Sequence, residues 1–227
     1  MGAMRRVLAR LVHQSWVWLA ATGEVTPDTP AGMRFGRLGT GSCLVFPTGS
    51  VFGEEWIHIG ERTVVGPYVS LSAGMVPGLD LGSEPIVRIG DRCKIGRGSH
   101  IVRHHSIEIG DDVITGPYVY VTDQNHGYAD PDVPIDRQWP TEDPVRIGSG
   151  TWLAAGAIVL PGTRLGRNVV VAAGSVVRGE FPDRCVVAGV PARIVRRYEP
   201  GSGWQPPLRP SGADRLPPED HTALMSP

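Results

Sequence analysis

Lysine is all but missing from this 227-residue chain. Lys94 is the only one, so nearly every positive charge is an arginine, a compositional bias that says little about mechanism. Excess charge is missing too: a formal net charge of -1 gives no ground for a nucleic acid or an acidic membrane as partner. Cysteine is scarce. Cys43, Cys93 and Cys185 cannot all pair, and their spacing fits no zinc motif. They read as reduced thiols, which places the protein in the cytoplasm. A bilayer-spanning apolar run is also lacking. Residues 1–22 come nearest, with a helical pattern through Leu8, Leu11, Val12, Trp16 and Leu19 after Arg5, Arg6 and Arg10. That order imitates a signal peptide, but His13, Gln14 and Ser15 break the run. The expectation is a helix packed on the rest of the chain or on a neighbouring subunit, with membrane contact disfavoured.

Glycine (30) and proline (21) are plentiful, which suits a fold made largely of corners. The organising stretch is Ile147 to Phe181, IGSGTWLAAGAIVLPGTRLGRNVVVAAGSVVRGEF. Six consecutive hexads open on Ile147, Leu153, Val159, Leu165, Val171 and Val177. Thr151, Ala157, Thr163, Val169, Ser175 and Phe181 stand at position five. A short fixed period is the mark of a solenoid, here an all-β parallel β-helix. Three hexads make one triangular coil of about 18 residues, with successive coils roughly 4.8 Å apart. Position one points inward, so Ile147 should stack on Leu165, Leu153 on Val171 and Val159 on Val177. Glycine and alanine beside the aliphatic residue are expected to let the backbone turn.

The same period appears earlier at Ile59, Val65 and Leu71, at Ile89, Ile95 and Ile101, and at Ile109, Thr115 and Val121. Cys93 falls at position five, among the small buried residues. Two excursions, 74–86 and about 126–144, interrupt the repeat. Three segments follow: an N-terminal helical segment (1–34), the solenoid (35–196) and a Pro-rich tail (197–227) expected to be loose.

The hexads, the TWLAAGAIVLPGT segment and the closing AGVPARIVR (Ala188 to Arg196) resemble the hexapeptide-repeat acyltransferases. The nearest pattern is the maltose, galactoside and xenobiotic O-acetyltransferase branch. The resemblance covers about residues 35–196. It implies a left-handed β-helix, a homotrimer, active sites between subunits and an acyl-CoA donor, acetyl-CoA by default, with no metal. The general crossover rule alone would have favoured the right hand.

The resemblance places the catalytic histidine at His126, in VTDQNHGYAD. The residues agree, because a neutral imidazole suits proton abstraction from an alcohol, and His126 stands where regular structure gives way to a loop. Asp123 is the residue expected to orient it, ahead of Asp130, Asp132 and Glu142. On the donor side the resemblance maps Trp152 near the thiol end and Ala155 and Ala173 to main-chain contacts with pantetheine. Arg178, Arg193 and Arg196 map to the phosphates, which guanidinium binds well. The galactoside pattern has a serine where this chain has Ala155, so a backbone N–H would have to serve the oxyanion. It has an acid near His104, which points to a different acceptor. His104, Tyr128 and Trp139 are the candidate acceptor contacts.

The implied function is O-acylation of a sugar, glycoside or polysaccharide precursor by direct transfer. N-acetylation of an amino sugar would use the same donor and base. Two other classes stay open. A γ-type carbonic anhydrase would bind zinc through three histidines, with His100, His104, His105 and His126 as raw material. A non-catalytic hexapeptide module would need no His126 at all.

Overall fold

The computed structural model describes residues 2–74 and 82–207. Among these, the chain winds through three parallel faces in turn. The first stacks Arg37–Leu38, Ile57–Ile59, Val87–Ile89, Ile107–Ile109, Val145–Ile147, Arg164–Leu165 and Glu180–Phe181. The second runs from Cys43–Leu44 through Lys94–Ile95 and Trp152–Leu153 to Cys185–Gly189. The third runs from Val51–Phe52 through His100–Arg103 and Tyr120–Thr122 to Val176–Val177. Neighbours within a face are every third strand of the chain, which is the topology of a three-sided solenoid.

The stacking follows the hexads. Ile147 lies opposite Leu165, Leu153 opposite Val171 and Val159 opposite Val177. These side chains are buried in one continuous core. Position five is buried at Thr151, Ala157, Thr163, Val169 and Ser175, and at Cys93; Phe181 is only half-buried. The hydroxyls there serve the corners. Thr63 donates to the Gly90 carbonyl at 2.7 Å and accepts from the Cys93 N–H at 3.0 Å. A small residue with one polar atom thus satisfies backbone groups that no strand reaches.

The turning residue differs from the expectation. The glycines at position two do not carry the turn. A Cβ at Gly90 would stand 2.7 Å from the Gly110 carbonyl carbon in the next coil, so these glycines permit close stacking. The left-handed backbone sits at position four: Gly150 (φ 73°), Gly156 (67°), Gly162 (77°), Asn168 (54°) and Gly174 (66°). Glycine and asparagine tolerate that region best.

Both ends depart from the sequence reading. The N-terminal helix, Gly2–Thr22, is not packed along the solenoid: most of its apolar side chains are exposed. Its base is tied by Trp16 against Phe46, ring centroids 6.3 Å apart. At the other end the ordered structure continues past Arg196. Ala192–Glu199 folds back antiparallel on Cys185–Gly189, and Gly203–Gln205 adds one more strand. Tyr198 explains this, since Trp204 packs edge-on to it at 5.7 Å and Arg184 lies 5.8 Å from its ring centre. The loose tail expected from 197 is therefore not found over 197–205. Residues 208–227 lie outside the described residues, as do 75–81 of the first excursion.

Leu153 is fully buried between Thr115 and Val171 of adjacent coils. Leu153→Ala should cost about 2–5 kcal/mol, read by urea unfolding. A loss below about 1 kcal/mol would mean the coils do not depend on this contact.

Candidate functional site

Every excursion leaves from one edge. Ala73, Arg103 and Asp123 each end a pass along the third face, and each is followed by extra residues before the first face resumes at Val87, Ile107 or Val145. The edge between the second and third faces has a single extra residue, near Phe46 in the first coil, and then passes smoothly through Pro117, Ala155 and Ala173. One of the three edges is elaborated and the other two are bare; the bare edge that borders the third face is the one through Ala155 and Ala173.

The elaborated edge builds a groove of about 950 Å³. Its floor is the outer side of the third face, including Ser70, His100 and Tyr120. Its wall is the second excursion, with Gln138 and Trp139. The short antiparallel pair Gln124–Asn125 and Thr141–Glu142 stiffens that wall. Asn125 and His126 line the groove at the point where the chain leaves the face, and His126 is exposed.

Asp123 does not orient His126. It is fully buried, and its carboxylate accepts from the backbone N–H groups of His104 (2.8 Å), His105 (2.7 Å) and Ser106 (2.6 Å). Arg103, also fully buried, faces it with Nε 3.5 Å from Oδ2. Burial pushes the Arg103 guanidinium below its usual range, and the Asp123 carboxylate opposes that shift. Neither Nη of Arg103 has a hydrogen-bond partner among the described residues. The pair locks the His104–Ser106 turn to the exit of the second excursion. Glu142 is engaged elsewhere too, against Nδ1 of His104.

The other expected contacts divide. Trp139 lines the groove; Tyr128 does not and points to solvent, and His104 is held by Glu142 outside the lining. Trp152 lies half-exposed on the outer side of the second face, opposite Val170. Val170 lies opposite Val186, and Val186 opposite Arg196, so Trp152 and Arg196 share one rank. Ala155 and Ala173 are exposed at the same position of the bare edge in successive coils. Arg193 pairs with Ala188 at the top of that edge. Arg178 stands apart, beyond Val176–Val177 at the elaborated edge. Sequence reading missed the floor residues Ser70, His100 and Tyr120. Their signal was available in the register, as polar and aromatic residues at outward positions of the third face. It also missed Arg103, a charge at an inward position. No group of three or more His, Cys, Asp or Glu side chains among the described residues is placed to hold a metal ion.

The three cysteines are free. Burial pushes the Cys43 thiol up to about 12, with Glu24 adding to it, and Cys93 up to about 11. Burial raises Cys185 as well. None offers a thiolate nucleophile at neutral pH.

The three-sided solenoid agrees with what comparison with known proteins finds. Residues 144–179 match the bacterial transferase hexapeptide (six repeats) model, and residues 86–122 the hexapeptide repeat of succinyl-transferase. WbbJ of Escherichia coli, assigned to lipopolysaccharide biosynthesis as an O-acetyl transferase, is 35% identical over 57% of this chain and 69% of its own length. An assigned acetyltransferase of Mycobacterium tuberculosis is 34% identical over 64% of this chain, but the match spans only 43% of that relative. The galactoside O-acetyltransferase of E. coli is 28% identical over 65% of this chain and 66% of its own length. The chain belongs to the hexapeptide-repeat acetyltransferase family. Among solved structures, a mutant of AntD, an N-acyltransferase from Bacillus cereus in complex with dTDP-4-amino-4,6-dideoxyglucose and coenzyme A, shares the fold. Its TM-score is 0.64 at 18% identity, over 76% of this chain and 88% of that one.

Asp123→Ala removes the partner of Arg103 and of three backbone N–H groups. It should cost about 3–5 kcal/mol by urea unfolding, because it strands a buried charge. Asp123→Asn should recover part of that loss through its amide oxygen. An alanine variant as stable as the parent would show that the pair is no structural lock.

Proposed function

We propose that this protein transfers an acyl group, acetyl by default, from acyl-CoA to a hydroxyl of a saccharide acceptor. The observation that carries the reading is His126 beside Asn125 on the lip of the groove, on a solenoid whose relative WbbJ is assigned O-acetyl transfer in lipopolysaccharide biosynthesis. The acceptor lies in the groove, against Trp139 and the outward side chains of the third face. His126 takes the proton from its hydroxyl, and the oxygen attacks the thioester carbonyl. The tetrahedral oxyanion collapses with loss of CoA thiolate, which the imidazolium protonates. The Ala155 backbone N–H is the proposed oxyanion donor, since this chain has no hydroxyl there. No acyl-enzyme is needed, in keeping with three cysteines held as thiols.

The donor follows the bare edge. Small side chains at Ala155 and Ala173 let an extended pantetheine lie close to the backbone, and Arg193 and Arg196 stand at the far end for the phosphates. Arg178 is a separate cation at the other edge. In one chain the bare edge and His126 flank opposite sides of the third face, about five residues or roughly 17 Å of extended backbone apart. A second copy whose bare edge meets the groove closes that distance. The proposed assembly is therefore a trimer of left-handed solenoids with sites between subunits.

His126→Ala should lower turnover by roughly 10²–10⁴ while CoA binding by calorimetry survives. Unchanged turnover would remove His126 from the mechanism. Arg193→Ala should weaken CoA binding at unchanged thermal stability. Co-expressing His126→Ala chains with Ala173→Trp chains should restore activity that neither has alone. No recovery in verified mixed assemblies would place the site within one chain.

A further inference from the structure

The helix Gly2–Thr22 leaves an apolar face uncovered. At 100° per residue, Met4, Val7, Leu8, Leu11, Trp18 and Leu19 fall within an arc roughly 120° wide. All six are exposed, from 44% at Leu19 to 75% at Met4. Arg6, Arg10 and His13 occupy the opposite arc together with the exposed Val17, Arg5 stands at its border, and Ser15 is the polar residue inside the apolar arc. No Asp or Glu occurs before Glu24. The whole-chain charge of -1 thus conceals a segment carrying three arginines and no acid.

We propose that this helix lies flat on an anionic bilayer, with its apolar arc among the acyl chains and its arginines among the headgroups. No described helix is long and apolar enough to cross a membrane, so the helix lies on the surface and does not span it. Charge decides between the candidate occupants. A protein surface that covered this arc would leave Arg6 and Arg10 in water and make no use of a segment that carries three arginines and no acid. A second copy of the helix supplies none and sets arginine against arginine. An anionic bilayer satisfies both faces at once. The attachment is directional, because Trp16 packs on Phe46 of the first coil. Ser50 and Phe52 of that coil line the groove, so the helix is anchored to the coil at one end of the groove. The inference does not depend on the acyltransfer reading.

The test is co-sedimentation of the full-length protein with phosphatidylcholine vesicles, with and without phosphatidylglycerol. Binding is expected to the anionic vesicles, weaker to the neutral ones, and released by added salt. Replacing Arg5, Arg6 and Arg10 with Gln should lower partitioning on the order of 100-fold, about fivefold per charge. Leu8→Ser with Leu11→Ser should abolish it while the solenoid keeps its melting temperature. Equal binding to both vesicle types, or none, overturns the proposal. So does a parent that ignores vesicles while the serine variant changes oligomeric state by analytical ultracentrifugation, since a second copy would then cover the face.

Discussion

Everything in this molecule rests on how closely one coil lies on the next. Along the first face the backbone of each coil touches that of its neighbour at the position-two glycines, where even a methyl group would collide with the next backbone. That contact forces the aliphatic residue at position one into register with its counterpart, and the register builds the core. The same closeness leaves corner amides and carbonyls in the dark, and the hydroxyls of Thr63, Thr151, Thr163 and their equivalents meet them. A hexad of the first face is therefore a set of coupled conditions: an apolar anchor, a residue with no side chain, a left-handed hinge and a small plug, of which the other faces relax the second at Ala154, Leu160 and Ala172.

These conditions also decide where function can be placed. An insertion breaks the register unless it leaves and returns at one corner. Here all the excursions use the edge between the third and first faces, so that edge acquires a groove while the edge through Ala155 and Ala173 stays smooth. A smooth corner of small residues suits a long thin ligand, and a groove walled by an excursion suits a compact one. The division of labour between the two edges follows from the stacking constraint, and it gives two identical chains a reason to bring unlike edges together.

The regular part of this design was legible because periodicity alone specifies it. Ile147 opposite Leu165 needs only counting by threes of hexads. Cys93 could be placed inside for the same reason. The function of the position-two glycines was misread, because a sequence does not distinguish a residue that must bend from one that must make room. Three-dimensional pairing was illegible where it crosses an excursion. Glu142 meets His104, 38 residues away, and nothing local announces it. The tail was misjudged because Tyr198, Trp204 and Arg184 look unremarkable apart and form a lock only together. His126, placed by the family resemblance, and Trp139, read from its loop, both line the groove; Tyr128 does not, and Arg178 falls on the other edge.

Asp123 shows why nearness in sequence is a poor guide to a histidine's partner. Only Gln124 and Asn125 separate it from His126, yet the chain crosses a corner between them. Asp123 still belongs to the inward parity of the third face, beside Val121, while His126 already belongs to the excursion. An inward carboxylate is tolerable only if it is paired and fully bonded, and Arg103 with three backbone N–H groups meets that requirement. The two charges come from adjacent coils, at the two places where the chain must leave the solenoid. Apolar residues of the same size would fill the space but could not tie the backbone of one exit to the side chain of the other. The buried pair fixes where the excursion starts, and so holds the base of the loop that carries His126 without touching the imidazole.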